Sequence, residues 1–139
     1  MKKTVLLNAP ISSAVARLGH GDTLCIGDAG LPIPSTVEKI DLAVAAGVPG
    51  VLDVLKAVTA EMYVERAVIA AELDESQPGF RAKLATALTA INESQGQEIQ
   101  LDFVSHEEFK REIAQCQTVI RTGECIPFAN IILYSGVIF

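Results

Sequence analysis

Stretches with two different apolar periods follow one another along this chain, and that alternation limits the folds open to it more than any other feature. Thr23 to Gly27, Lys39 to Val44, Ala67 to Ala71, Ile99 to Val104, Thr118 to Arg121 and Asn130 to Tyr134 are short runs, either mostly apolar or alternating apolar with polar. That is the pattern of strands, and Thr4 to Leu7 is a further candidate. Between them Ile11, Val15 and Leu18, then Val51, Val54, Leu55, Val58 and Met62, then Phe80, Leu84, Leu88 and Ile91, and finally Phe109, Ile113 and Cys116 recur at helical spacing. The punctuation agrees with the periods. Asn8 and Pro10 open the first helix and Gly19 closes it. Gln77-Pro78-Gly79 turns into the third, which ends near Gly96, and Ser105 with Glu108 forms a capping box for the fourth. Strands alternating with helices predict an α/β fold, a single three-layer α/β/α domain over residues 1–139 built on a mostly parallel, mixed sheet.

Composition narrows the partners. At 139 residues the chain is long enough to bury a core without disulfide or metal. Half of it is apolar and only 20% is charged, which leaves apolar surface for other subunits to cover, so self-association is expected. A net charge of −6 gives no pull toward phosphate backbones and sets nucleic acid aside. No Lys or Arg stands between Gly19 and Lys39, so a neutral ligand suits that stretch better than a phosphorylated one. Cys25, Cys116 and Cys125 are odd in number and unpaired in spacing, and are read as buried reduced thiols rather than a disulfide or zinc framework. Lys2 and Lys3 before Val5-Leu6-Leu7 imitate a secretory leader, but Asn8 and Pro10 break the run short of the about 7–15 apolar residues a leader needs. The uncharged run from Ile126 to Phe139 is interrupted by Pro127 and Asn130 and is shorter than the roughly 18 residues of a membrane span. A soluble, cytoplasmic protein with no membrane partner is expected.

The stretch Gly19 to Pro34 concentrates the residues able to do chemistry. Gly19-His20-Gly21-Asp22-Thr23-Leu24 begins like a dinucleotide fingerprint, yet it follows a helix and has Leu24 where the third glycine belongs, which removes a nicotinamide or flavin cofactor. Asp28 falls at the end of the Thr23–Gly27 strand, before a Gly30 and Pro-x-Pro turn. A carboxylate there is placed to meet a small molecule or, equally, to cap the turn. His20 and His106 are the two histidines, each at an element boundary, and histidine suits proton transfer near neutrality. Alone, each reads as an exposed boundary residue; converging on Asp28, they read as a site. A facial metal triad from the same three residues lacks any supporting His-x-His or Glu-x-x-His spacing, and no metal is expected. Phe128-Ala129-Asn130 offers an aromatic face and an amide, the combination a carbohydrate site uses, although core packing and strand capping explain the same residues.

Several motifs taken together carry a resemblance: Gly19-His20 with Asp22-Thr23, Asp28-Ala29-Gly30-Leu31-Pro32-Ile33-Pro34, Glu38-Lys39-Ile40-Asp41, and Ile120-Arg121-Thr122-Gly123-Glu124-Cys125 through Asn130-Ile131-Ile132-Leu133. In these the chain resembles the ribose pyranase and fucose mutarotase family from end to end. The resemblance implies that family's fold, and conversion of β-D-ribopyranose to β-D-ribofuranose, the form taken by ribokinase, without metal or organic cofactor. It implies His20 as proton donor, with Asp28, His106, Phe128, Ala129 and Asn130 binding the sugar. It also implies a cytoplasmic homo-oligomer, a decamer of two stacked pentameric rings, with pockets near subunit contacts. Phe128 stands where the family's ribose enzymes carry Tyr, and Gly30 where its fucose mutarotases carry a histidine, so the ribose branch is favoured. A fucose-type mutarotase and a non-catalytic sugar-binding partner of a ribose transporter or kinase are the competing expectations.

Overall fold

The computed structural model describes residues 1–139. Helix α1 (Ala9–Arg17) starts where the Asn8 side chain accepts the Ile11 N–H at 3.0 Å, and the chain turns from it into strand β1 (Thr23–Gly27). Strand β2 (Glu38–Asp41), helix α2 (Val51–Thr59), strand β3 (Val64–Ala70) and the short helix α3 (Glu72–Ser76) follow. Helix α4 (Pro78–Gln95) ends on Gly96, whose φ of 75° is the left-handed conformation glycine adopts without penalty. Strand β4 (Gln100–Val104), helix α5 (His106–Ile113), strand β5 (Thr118–Arg121) and strand β6 (Ile131–Ser135) complete the chain.

The six strands form one sheet in the order β2-β5-β1-β6-β3-β4. All run parallel except β6, which is antiparallel to both β1 and β3. The sheet is therefore mixed and mostly parallel, as the alternation predicts. Its central strands are buried on both faces, and the period of two divides their side chains between two cores. Leu24 and Ile26 of β1, Ala67 and Ile69 of β3, and Ile131 and Leu133 of β6 point to the larger core, which α1, α2 and α4 cover through Ile11, Leu55 and Leu84. The intervening Cys25, Val68 and Ile132 point to the smaller core, against Phe109 and Ile113 of α5. Helices thus lie on both sheet faces.

Four expectations are corrected. Thr4 to Leu7 forms no strand: Leu6 is buried while Val5 and Leu7 are exposed, so a single side chain plugs the core without a strand partner. The strand expected over Lys39 to Val44 is shorter, because the Asp41 carboxylate accepts the Ala43 N–H and turns the chain outward, leaving Val44 exposed. The strand expected over Ala67 to Ala71 instead starts at Val64, and α3 was not anticipated. Cys125 is exposed rather than buried.

Burial pushes the Cys116 thiol up to about 11, and raises Cys25 well above the ordinary thiol range. Thiolate is the reactive form, so both should stay unmodified by a thiol reagent at pH 8 in the native protein and react only after unfolding. Peptide mapping of labelled native protein checks this; rapid native labelling of either residue would contradict it. No helix is long and apolar enough to cross a membrane.

Candidate functional site

The ends of the strands sort the candidate residues into two groups. Asp28 follows β1, Glu72 follows β3, His106 follows β4 and Thr122 follows β5. Because β6 is antiparallel, Asn130 just before it comes to this same edge, the edge where open α/β sheets bind ligands. His20 precedes β1 and sits at the opposite edge, beside the start of β3 and the end of β6.

At the first edge Asp28 and Asn130 clasp each other. The Asp28 backbone N–H donates to Asn130 Oδ1 at 2.7 Å, and Asn130 Nδ2 donates to Asp28 Oδ2 at 2.9 Å. The other carboxylate oxygen, Oδ1, accepts the Gly30 N–H at 2.9 Å. The turn-capping role and the clasp thus use the same side chain. Each oxygen accepts one such bond and keeps acceptor capacity for a ligand hydroxyl. Gly27 makes the clasp possible: a Cβ there would lie 2.4 Å from Leu31 Cδ2 and 3.1 Å from Asn130 Oδ1.

The loop after β5 fixes the backbone on either side of Asp28. Thr122 Oγ1 donates to the Gly27 carbonyl at 2.8 Å, the Ala29 N–H donates to the Glu124 carbonyl at 2.8 Å, and Arg121 Nε donates to the Ala29 carbonyl at 3.0 Å. Arg121 also reaches Asp41 through Nη1 at 2.9 Å, which helps hold the Asp41 carboxyl below its usual range, second to the Ala43 N–H.

The aromatic part of this edge comes from two elements. Phe128 has φ 63°, a left-handed conformation that a bulky residue adopts at a cost of roughly 1–3 kcal/mol. In that conformation its ring meets the His106 ring edge to face, with centroids 5.0 Å apart and planes at 80°. Ala129 is fully buried in the larger core and anchors the segment. His106 opens α5, whose start is capped twice: Ser105 accepts the Glu108 N–H at 3.1 Å, and both Glu72 oxygens accept the His106 backbone N–H at 2.9 and 3.0 Å. That second bond holds the Glu72 carboxyl below the usual carboxylate range. His106 Nδ1 is buried with no hydrogen-bond partner. A bare lone pair costs less there than a buried N–H without an acceptor, so the neutral ring carries its proton on Nε2.

His20 is 61% exposed and its Nε2 lies 3.0 and 3.1 Å from the two Glu65 oxygens. Within one chain, then, Asp28, His106, Phe128, Ala129 and Asn130 gather at one edge and His20 does not join them. The five-residue β1 between His20 and Asp28 spans roughly 16 Å. Nor do His20, Asp28 and His106 gather around one point as a metal triad. A cavity of about 580 Å³ lies between α2 and α4 and is lined by none of these residues.

Glu65, Glu72 and Arg121 were not singled out as functional in the sequence. A charged residue next to a strand end is too common to stand out, and the partners of all three are distant in sequence.

Over residues 1–138 the sequence matches the model of the RbsD / FucU transport protein family. The chain belongs to the RbsD/FucU family. One curated RbsD/FucU relative, "D-ribose pyranase" of Haemophilus influenzae, is 55% identical over 139 residues, with both chains covered in full. The solved structure of Bacillus subtilis RbsD complexed with D-ribose superposes with a TM-score of 0.88 at 41% identity, again over the whole of both chains. A fucose mutarotase from Streptococcus pneumoniae, in complex with L-fucose, superposes with a TM-score of 0.75 at 17% identity over 99% of each chain. That last likeness speaks for the shared fold alone.

Proposed function

We propose that this RbsD/FucU family member is an isomerase interconverting the β-pyranose and β-furanose forms of D-ribose. The observation that carries the reading is the Asp28–Asn130 clasp set beside the His106–Phe128 pair, in a chain 55% identical over its full length to a D-ribose pyranase. The carboxylate and amide offer acceptors and donors to vicinal hydroxyls, and the ring of Phe128 offers an apolar face to the carbons between them. His106 donates from Nε2 to a further hydroxyl, and Ala129 keeps the backbone of the segment in place.

The chemistry is proton transfer throughout. Opening the pyranose takes the proton from the anomeric hydroxyl, breaks the C1–O5 bond and returns a proton to O5. Closure takes the proton from the C4 hydroxyl, forms the C1–O4 bond and returns a proton to O1. Nothing is oxidised, reduced or lost, so this route calls for no metal or organic cofactor. His20 carries the proton, a role worth about 10²- to 10⁴-fold in rate.

His20 reaches the sugar from a second copy of the chain. The strand between it and Asp28 is several times longer than a hydrogen bond, so one chain supplies the clasp and a neighbour supplies the proton donor. Exposed Val44, Val48, Phe103, Ile138 and Phe139 give such a neighbour apolar surface to cover. We read the assembly as a cytoplasmic decamer of two stacked pentameric rings.

Exchange NMR of the anomeric signals tests the function. With catalytic amounts of protein, D-ribose pyranose–furanose exchange should exceed the buffer rate, while L-fucose anomers exchange little faster than in buffer. Faster exchange of fucose alone would mark a fucose mutarotase, and saturable ribose binding without faster exchange a binding partner. Either outcome would overturn the proposal.

Phe128→Tyr tests the sugar face separately. If the missing hydroxyl serves only to bond the sugar, restoring it adds one neutral hydrogen bond, about 0.5–1.5 kcal/mol. KM for ribose should then fall about two- to tenfold with kcat unchanged. A rise in kcat at constant KM would instead assign the hydroxyl to proton transfer.

A further inference from the structure

We infer that Glu65 is the positioning residue for His20: its carboxylate holds the imidazole by Nε2 and leaves Nδ1 as the nitrogen that exchanges protons with the sugar. The inference rests on the proposed ring isomerisation and assigns the part of the site that orients its proton carrier.

His20 lies on a turn between the end of α1 and the start of β1, followed by Gly21 at φ 82°. A mobile, exposed imidazole is a poor proton carrier, because transfer needs it aimed at one atom of the sugar. The two Glu65 oxygens, 3.0 and 3.1 Å from Nε2, are the only side-chain hydrogen-bond partners of His20. Asp28 cannot take this role within the chain, since it stands at the far end of β1 with its carboxylate engaged by Gly30 and Asn130.

The fold builds Glu65 into this position. Val64 pairs with Ser135 and Arg66 with the adjacent Tyr134, so Glu65 is the extra residue of a β-bulge on β3. Bulges re-aim a side chain that a regular strand would point elsewhere. Gly136, just past the end of β6, then closes on Glu65: a Cβ on Gly136 would lie 3.2 Å from Glu65 Cβ and 2.9 Å from Tyr63 Cδ1. The Gly136 N–H donates to the Tyr63 carbonyl at 3.0 Å, which pins that close approach. Bulge, glycine and the His20 contact converge on one carboxylate.

With a carboxylate on Nε2, the neutral ring donates from Nε2–H and its lone pair sits on Nδ1. A carboxylate that holds a working histidine in one tautomer and orientation is the third member of the nucleophile–base–orienter arrangement, here without a nucleophile.

The test uses the full assembled protein, ribose exchange NMR, and two variants. Glu65→Ala should lower kcat by about ten- to a hundredfold with KM for ribose within about twofold of wild type, because Glu65 touches the proton carrier and not the sugar. Glu65→Gln keeps an oxygen that accepts from Nε2–H, so it should retain more kcat than Glu65→Ala. The thermal midpoint of both should match wild type, since His20 and Glu65 pack in neither core. Wild-type kcat in Glu65→Ala, or a loss carried by KM, would overturn the inference while leaving the function intact. Wild-type protein that leaves ribose exchange at the buffer rate would overturn the function and this inference with it.

Discussion

His20→Ala is expected to bring ribose ring exchange close to the buffer rate, a loss of about 10²- to 10⁴-fold in kcat, while leaving the folded chain as stable as before. The separation of the two effects follows from its place in the fold. His20 is 61% exposed, packs in neither core and bonds only to the Glu65 carboxylate, and surface substitutions of this kind stay within about 0.5 kcal/mol. Exchange NMR beside a thermal melt reads both. Full activity in His20→Ala would remove this residue from the chemistry, whatever the fate of the rest of the site.

Gly123→Ala is expected to show the opposite signature, a large loss of stability from a residue that touches no substrate. A Cβ there would lie 2.4 Å from the Ala45 and Val48 carbonyl oxygens and 2.7 Å from the Val48 carbonyl carbon. All three are backbone atoms, so no side chain can swing aside. Relief requires moving either the 45–49 turn or the loop after β5. That loop carries Thr122, which bonds the Gly27 carbonyl, and Glu124, whose carbonyl accepts the Ala29 N–H. Overpacking against fixed backbone costs about 3 kcal/mol, or about 10 °C in Tm for a chain of this length. Because Asp28 sits between Gly27 and Ala29, ribose KM should rise as well. A variant that melts with wild type would mean that the turn and loop part without cost.

The elements with a clear period were legible before the structure. β1 and β5 matched their expected bounds, and α1, α2, α4 and α5 rest on the apolar stripes from Ile11, Val51, Phe80 and Phe109. Short elements without a period were not. Leu73 is the one apolar residue of α3, too little for a stripe, and Val5-Leu6-Leu7 places one buried side chain between two exposed ones without any strand to pair with. The antiparallel sense of β6 was legible in principle. Residues 122–130 join β5 to β6 with no helix, and a parallel crossover needs a dozen or more residues.

The site was legible as a set of residue types and not as an arrangement. His20 and Asp28 share one short stretch of sequence, which suggested one half of a site. The strand between them carries them to opposite edges of the sheet. Asn130 stands 102 positions from Asp28 and is its immediate partner, a pairing that only the antiparallel return of β6 produces. Glu65 carried no signal at all, because a bulge cannot be read from one strand alone.

Those two edges make the central claim specific: each site takes its proton carrier from one copy of the chain and its sugar clasp from another. Mixed oligomers of His20→Ala and Asp28→Asn, prepared by unfolding and refolding the two variants together, test this most directly through the rate of ribose pyranose–furanose exchange. Each variant alone should be inactive. In an equimolar random mixture, about one site in four joins an intact His20 to an intact Asp28, so about a quarter of wild-type activity should return. Mixed oligomers as inactive as either parent would contradict the shared site.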